Sequence, residues 1–154
     1  MIVTDERVAR FVADGLDFNL CPPYSCIGLE RDGKIISGVL FNCFEGASVH
    51  VTAYGHRWTP SIMKAIGRYV YQQLGCERMT LTTESRWVAF LACKLGGQVE
   101  GRLRSQFGKG RDGIIVGILR DEYKYGIKST TSAAGRHSAP TLSRKRPVEN
   151  AQSS

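Results

Sequence analysis

The stretch "RDGKIISGVLFNCF", residues 31 to 44, constrains the fold more than any other part of the chain. Its Asp-Gly pair supplies the positive φ that a tight hairpin turn requires, so the chain reverses there between two strands. In the strand that follows, Ile35, Val39, Phe41 and Cys43 point one way, while Ile36, Gly38 and Leu40 point the other. Both sets are apolar or small. A strand of that kind belongs in the middle of a sheet, covered on both faces. "CIGLE" before the turn and "SVHVTAY" beyond an "EGAS" turn are its neighbours in an antiparallel meander.

The covering layers come from helical segments. "TDERVARFVADG" opens on Thr4 or Asp5 as a cap, sets Val8, Phe11 and Val12 on one face and closes at Gly15. "LDFNLCPPYS" is a loop, since paired prolines exclude helix and central strand. Thr59 is an N-cap and Pro60 fits the first helical position, where its missing N–H costs nothing. Ile62, Ile66, Tyr69, Val70 and Leu74 then form a core stripe, ended by Gly75. "CERMTLTT" is a strand, and "SRWVAFLACKLGG" a helix capped by Ser85 and stopped by Gly96 and Gly97. Trp87 and Phe90 do not both fit the inward stripe of Val88, Leu91 and Leu95. An aromatic left outside marks an interface, with a protein partner or in a homo-oligomer. "QVEGRLRSQF" alternates, with Val99, Leu103 and Phe107 inward and Arg102, Arg104 and Gln106 outward. "GKGRDG" is a loop, with Lys109 and Arg111 extending that basic face, and "IIVGILRDEY" is a last buried strand. The fold class is α/β: a mixed, mostly antiparallel sheet with helices on both faces.

The 154 residues suffice for one domain with one sizeable core, and the 42% hydrophobic content excludes a disordered chain. Residues 1–125 form that domain. Residues 126–154 read as a flexible, basic, low-complexity tail with no aromatic residue. The net charge is +7, but Lys128, Arg136, Arg144, Lys145 and Arg146 against Glu149 put four of those charges in the tail. The tail is thus a tether for an acidic protein surface or nucleic acid, or else only a solubilising extension. The folded part carries too little excess charge for a dedicated nucleic-acid-binding domain. Cys21, Cys26, Cys43, Cys76 and Cys93 are odd in number and contain no CxxC, so they read as buried thiols, with no metal or disulfide framework. "MIVTDERVAR" turns charged at once and no long apolar run occurs, which speaks for the cytoplasm and against secretion or a membrane.

The order of elements, with "YSCIGLERDGKIISGVLFN", "HRWTPSIMKAIGRYVYQQLGCERMTLTT", "KLGGQVEGRLR" and "GIIVGILRDEY" in sequence, resembles the GNAT superfamily of N-acetyltransferases. It looks most like a phage-encoded branch, which would place the protein in a host cytoplasm or a virus particle. The resemblance covers about two thirds of the chain, from Tyr24 to Tyr125. It implies the acyl-CoA N-acyltransferase-like fold, acetyl-CoA as cofactor and an amine as acceptor. In that family a middle strand splays from its neighbour, and the pantetheine arm lies along the exposed edge. The pyrophosphate rests on backbone amides at the start of the next helix, a natural anion site. Mapped here, the edge is Val51, Thr52, Ala53 and Tyr54, and the loop runs from Gly55 to Ser61 through His56, Arg57 and Trp58.

The resemblance also implies roles and shows departures. His50 is the candidate base and a backbone N–H near Ala53 the candidate oxyanion donor. A structural histidine is the other reading of His50; Glu45 is a second candidate base, and the other reading of it is a solvated turn residue. The loop has one glycine, Gly55, where the family has two, and Pro60 lacks an N–H, so His56 and Arg57 offer side-chain charge instead. Trp58 is otherwise a packing anchor. Ser85 stands where the family has an Asn that touches the cofactor, Ala92 where it has an acid tyrosine, and Gly97 where it has a Phe. Two functions follow: an acetyl-CoA-dependent N-acetyltransferase, or a catalytically degenerate relative with a binding or structural role in a virus particle or its assembly.

Overall fold

A computed structural model describes residues 1–126, so the tail lies outside the described residues apart from its first residue. Seven strands form one sheet: β1 (Ile2–Val3), β2 (Ser25–Arg31), β3 (Lys34–Asn42), β4 (Ser48–Gly55), β5 (Arg78–Thr83), β6 (Gln98–Leu103) and β7 (Gly113–Leu119). Their order in the sheet is β1-β2-β3-β4-β5-β7-β6. Every pairing is antiparallel except that of β4 with β5. The helices are α1 (Glu6–Leu16), α2 (Pro60–Gly67) and α3 (Arg86–Lys94). The mixed sheet, the meander and the helical cover agree with the sequence reading, and β1 is an addition too short for any period to reveal.

As expected, β3 lies inside the sheet between two core clusters. On one side α1 brings Val8 and Val12, both fully buried, against Cys26 and Leu40. Gly28 and Gly38 are flat spots that let those valines approach, and a Cβ on either would lie under 3 Å from a valine methyl. On the other side Val39, Phe41, Val49, Val51, Ile62 and Val70 belong to the larger core. Each fully buried side chain of this kind contributes roughly 1.5–3 kcal/mol.

The "RDGK" turn has Asp32 at φ 50° and Gly33 at φ 73°, the positive pair that was expected. Ile35, however, packs with the α1-side cluster. The register slips between Leu29 and Glu30, and the bulge turns Ile35 away from the face of Val39 and Phe41. Cys43 lies beyond β3, exposed, at φ 50°. Cys21 is also exposed, so only Cys26 and Cys76 are buried thiols; Cys93 is half-buried and all five are free. Gly15 does not end α1. The helix runs on to Leu16, and Asp17 closes it in the left-handed conformation. Gly15 instead leaves room for the Tyr54 ring, which lies where a Cβ would be.

α2 does not stop at Gly67 but widens into a π-helical segment, Arg68–Gln73, closed by Leu74 N–H donating to Tyr69 O at 2.9 Å. Tyr69 and Ser25 share a hydroxyl–hydroxyl bond of 2.6 Å, and Tyr71 OH donates to Ile118 O at 2.7 Å. One helical segment is thereby tied to both β2 and β7.

The expected alternation of "QVEGRLRSQF" fails. Val99, Leu103 and Phe107 are exposed, not inward. Among the described residues β6 is the sheet margin with no strand beyond it, and a bulge between Val99 and Gly101 breaks its period. Arg104, Gln106 and Phe107 belong to a turn after the strand. Trp87 and Phe90 both remain outside, 64% and 48% exposed, with stacked rings 5.5 Å apart.

Gly38→Val should cost about 1–3 kcal/mol through overpacking against Val8 and Val12. Adding Val12→Ala should return part of that loss. A denaturant midpoint unchanged by Gly38→Val would mean that α1 does not seat on β3.

Candidate active site

The site begins where the sheet divides. β4 and β5 pair in register from Ser48 with Arg78 to Val51 with Leu81, and there the ladder stops. Beyond it, Thr52 to Gly55 stay bonded to β3, and Thr82 and Thr83 stay with β7. Each strand follows its antiparallel partner, and a wedge opens between them. The β5-facing edge of Thr52–Gly55 therefore carries no strand partner, which leaves its backbone polar groups available. Val51 is buried at the base. Thr52 and Ala53 are half-buried along the open edge, and Tyr54, Gly55, His56 and Arg57 are exposed above it.

The loop after β4 is strapped to β3. His56 N–H donates to Ile36 O at 3.0 Å. Gly55 has φ 109°, and a Cβ there would lie 2.4 Å from the same carbonyl oxygen, so only glycine fits. Arg57 also has positive φ, 59°, an uncommon and strained setting for a side-chain-bearing residue. Trp58 packs against the larger core, the anchoring role weighed from sequence.

Thr59 stands at the N-cap of α2 as expected, but its hydroxyl pairs with Ser61 Oγ at 2.7 Å and makes no capping bond. The other two helices differ: Asp5 accepts from Arg7 N–H, and Ser85 Oγ accepts from Val88 N–H. Thus α2, the helix at the mouth of the wedge, lacks the side-chain cap that α1 and α3 have. Its first-turn donors and dipole suit an anion. Ser85, placed just past the β5 wall, is occupied in capping, and its N–H donates to Thr83 Oγ1 at 3.1 Å.

His50 points away from Val49 and Val51. Its Nε2 lies 3.2 Å from Thr82 Oγ1, a bond that crosses the bottom of the wedge from one wall to the other. Burial lowers the His50 pKa, because the cation is poorly solvated there. The ring is neutral at neutral pH, as a proton acceptor must be. Across the ladder His50 faces Asn42, whose Oδ1 is buried without a hydrogen-bond partner. Sequence reasoning passed over Asn42 and Thr82. Neither belongs to a motif, and only register brings them beside His50.

Tyr54 turns its ring toward α1, packing against Phe11 with the rings tilted by 54° and their centroids 5.3 Å apart, so only its backbone faces the wedge. Ala92 is buried in the core, and no hydroxyl stands at that position of α3. Two of the four cations of the basic face expected around β6 are paired. Arg102 pairs with Asp112 at 2.5 Å, and Arg111 with Glu84 at 2.6 Å. The Arg111 guanidinium holds the Glu84 carboxyl below its usual range.

No protein-family model matches the chain, and no curated protein sequence does. Solved structures do. A mutant form of the spermidine/spermine N-acetyltransferase SpeG from Vibrio cholerae superposes with TM-score 0.63 at 14% identity, covering 80% of this chain and 96% of that one. The dodecameric spermidine N-acetyltransferase from the same organism, in an intermediate state, gives 0.61 at 14% identity over 77% and 92%. The fold is that of the acyl-CoA N-acyltransferases. The strand divides one residue later than the resemblance implied: Val51 still pairs with Leu81, so the open edge begins at Thr52.

Two outcomes follow from this geometry. Gly55→Ala should cost at least about 1–3 kcal/mol, because strain and backbone collision coincide; an unchanged melting temperature would show that the loop is not strapped to β3. The depressed His50 pKa contributes stability that is fully present above about pH 6.5, the unfolded value, and lost as pH falls through the folded value. His50→Gln should flatten that part of the stability–pH curve, and an unaltered curve would place His50 in solvent.

Proposed function

We propose that this protein is an acetyl-CoA-dependent N-acetyltransferase. The observation that carries the reading is the wedge: an open β4 edge leading into a helix without a side-chain cap. Acetyl-CoA supplies an acetyl group activated as a thioester. Its arm would lie along Thr52, Ala53 and Tyr54, with Val51 closing the base, and its diphosphate would rest at Gly55 to Trp58 and the first turn of α2. Ser85, beyond the β5 wall, would stand close to the arm through its backbone, since its hydroxyl is a cap.

His50 takes the proton from an incoming ammonium, which frees the nitrogen lone pair to attack the thioester carbonyl. Thr82 Oγ1 fixes the imidazole. A backbone N–H near Ala53 stabilises the developing oxyanion. The C–N bond would form and the C–S bond break, and the second proton that the nitrogen sheds would pass through solvent to the departing thiolate, since no side chain at Ala92 can protonate it. The acceptors named for the structural neighbours are spermidine and spermine, so a polyamine is the first amine to test. The assembled neighbour and the exposed Trp87–Phe90 pair support self-association through α3.

The missing hydroxyl at Ala92 and the strained Arg57 favour one second reading: a relative that binds without turnover, serving as a structural piece, in a virus particle if the chain is phage-borne. Thermal shift with acetyl-CoA, followed by a thiol-release assay with polyamines, separates the two. A ligand that binds only the native state must raise its melting temperature. We expect a rise, and His50→Gln should lower kcat by about 10²- to 10⁴-fold while sparing that rise. Binding without turnover on any amine supports the second reading, and no rise at about millimolar acetyl-CoA overturns the enzyme.

A further inference from the structure

A pocket of about 570 Å³ lies between the β2–β3 turn and the loop after β4. Its walls are Arg31, Asp32, Lys34 and Ile36 on one side, and His56 and Arg57 on the other. It is not the wedge. The wedge opens on the β5 side of β4, whereas this pocket opens on the β3 side, against the hairpin two strands further along.

Three fixed cations, Arg31, Lys34 and Arg57, converge here from segments more than twenty residues apart, and one carboxylate, Asp32, opposes them. None of the four takes part in an ion pair among the described residues, whereas Arg7, Arg78, Arg102, Arg111 and Arg120 each have a carboxylate within 4.0 Å. The two walls are held at a fixed spacing. The positive-φ turn at Asp32-Gly33 sets one, and the His56 N–H bond to Ile36 O and the tight seat of Gly55 set the other. Arg57 holds its strained backbone at this rim.

We infer that this pocket is a phosphate-binding site, in which the hairpin cations Arg31 and Lys34 act with His56 and Arg57 on a phosphomonoester or diphosphate group. Planar guanidinium groups on two walls suit an anion with several oxygens, which they bond in pairs. That anion has two sources: the phosphates of a nucleotide-bearing cofactor that reaches over β4, or a separate phosphorylated ligand. The chemistry of the pocket is the same for both, and it does not require that acetyl transfer occur.

Titrate inorganic pyrophosphate into the protein by calorimetry at low ionic strength, where such contacts are least screened. Wild type should bind it. Arg31→Glu combined with Lys34→Glu should weaken binding by about tenfold or more, whereas Asp32→Asn should strengthen it by about threefold. Opposite signs from adjacent exposed turn positions do not arise from misfolding, and matching circular dichroism spectra confirm the fold. Coenzyme A that competes with pyrophosphate identifies the cofactor's own phosphates as the occupant; coenzyme A that does not compete, or does not bind, identifies a separate ligand and leaves the pocket standing even if the acetyltransferase reading fails. Absence of pyrophosphate binding to wild type, or equal binding by the charge-reversed protein, overturns the site.

Discussion

The structure turns on the divided loyalty of β4. As far as Val51 it is bonded on both sides, to β3 and to β5; beyond Val51 it keeps β3 alone. The antiparallel ladder with β3 is the longer one and is pinned further by the His56 N–H bond to Ile36 O. The parallel partner is the one released, in keeping with the slightly weaker pairing of parallel strands. From that release come the unpartnered edge, the crossing His50–Thr82 bond at its base and the position of α2 at its mouth.

The described part of the chain shows two ways of using positive charge. In β6 and the loop after it, Arg102 and Arg111 are tied to Asp112 and Glu84, so these two fasten a loop. Around the β2–β3 hairpin the cations have no such partners and border a cavity. Formal charge alone does not separate the two cases. Their surroundings do: Arg31, Lys34 and Arg57 meet around one cavity, whereas Arg102 and Arg111 are each held by a carboxylate.

Much of the fold was legible in the sequence because its signals are local. Asp-Gly at 32–33 forces a turn, Thr59-Pro60 starts a helix, and the doubly apolar β3 demands cover on both faces. What was not legible depends on register or on neighbours distant in sequence. The bulge that reverses Ile35 arises from pairing between β2 and β3. The exposure of Val99 and Leu103 follows from β6 being an edge, which no alternation of residues announces. Gly15 looked like a helix stop because a glycine commonly is one; its reason is the ring of Tyr54, thirty-nine residues away. In the candidate site the strand edge and loop were named from resemblance. Asn42 and Thr82 were missed because they reach His50 only through the ladder.

The π-helical segment after α2 has a mechanical consequence. A wedge in a sheet is a place to tear, and within the sheet the two halves are joined by the short parallel ladder at its base and the His50–Thr82 bond just above it. Tyr69 and Tyr71 bridge that gap from outside, one grasping β2 through Ser25 and the other β7 through Ile118. The widened turn acts as a tie-bar lying across the split. Load that would pull the halves apart is shared between the ladder and these two tyrosine hydroxyls, so the split sheet is held from two sides.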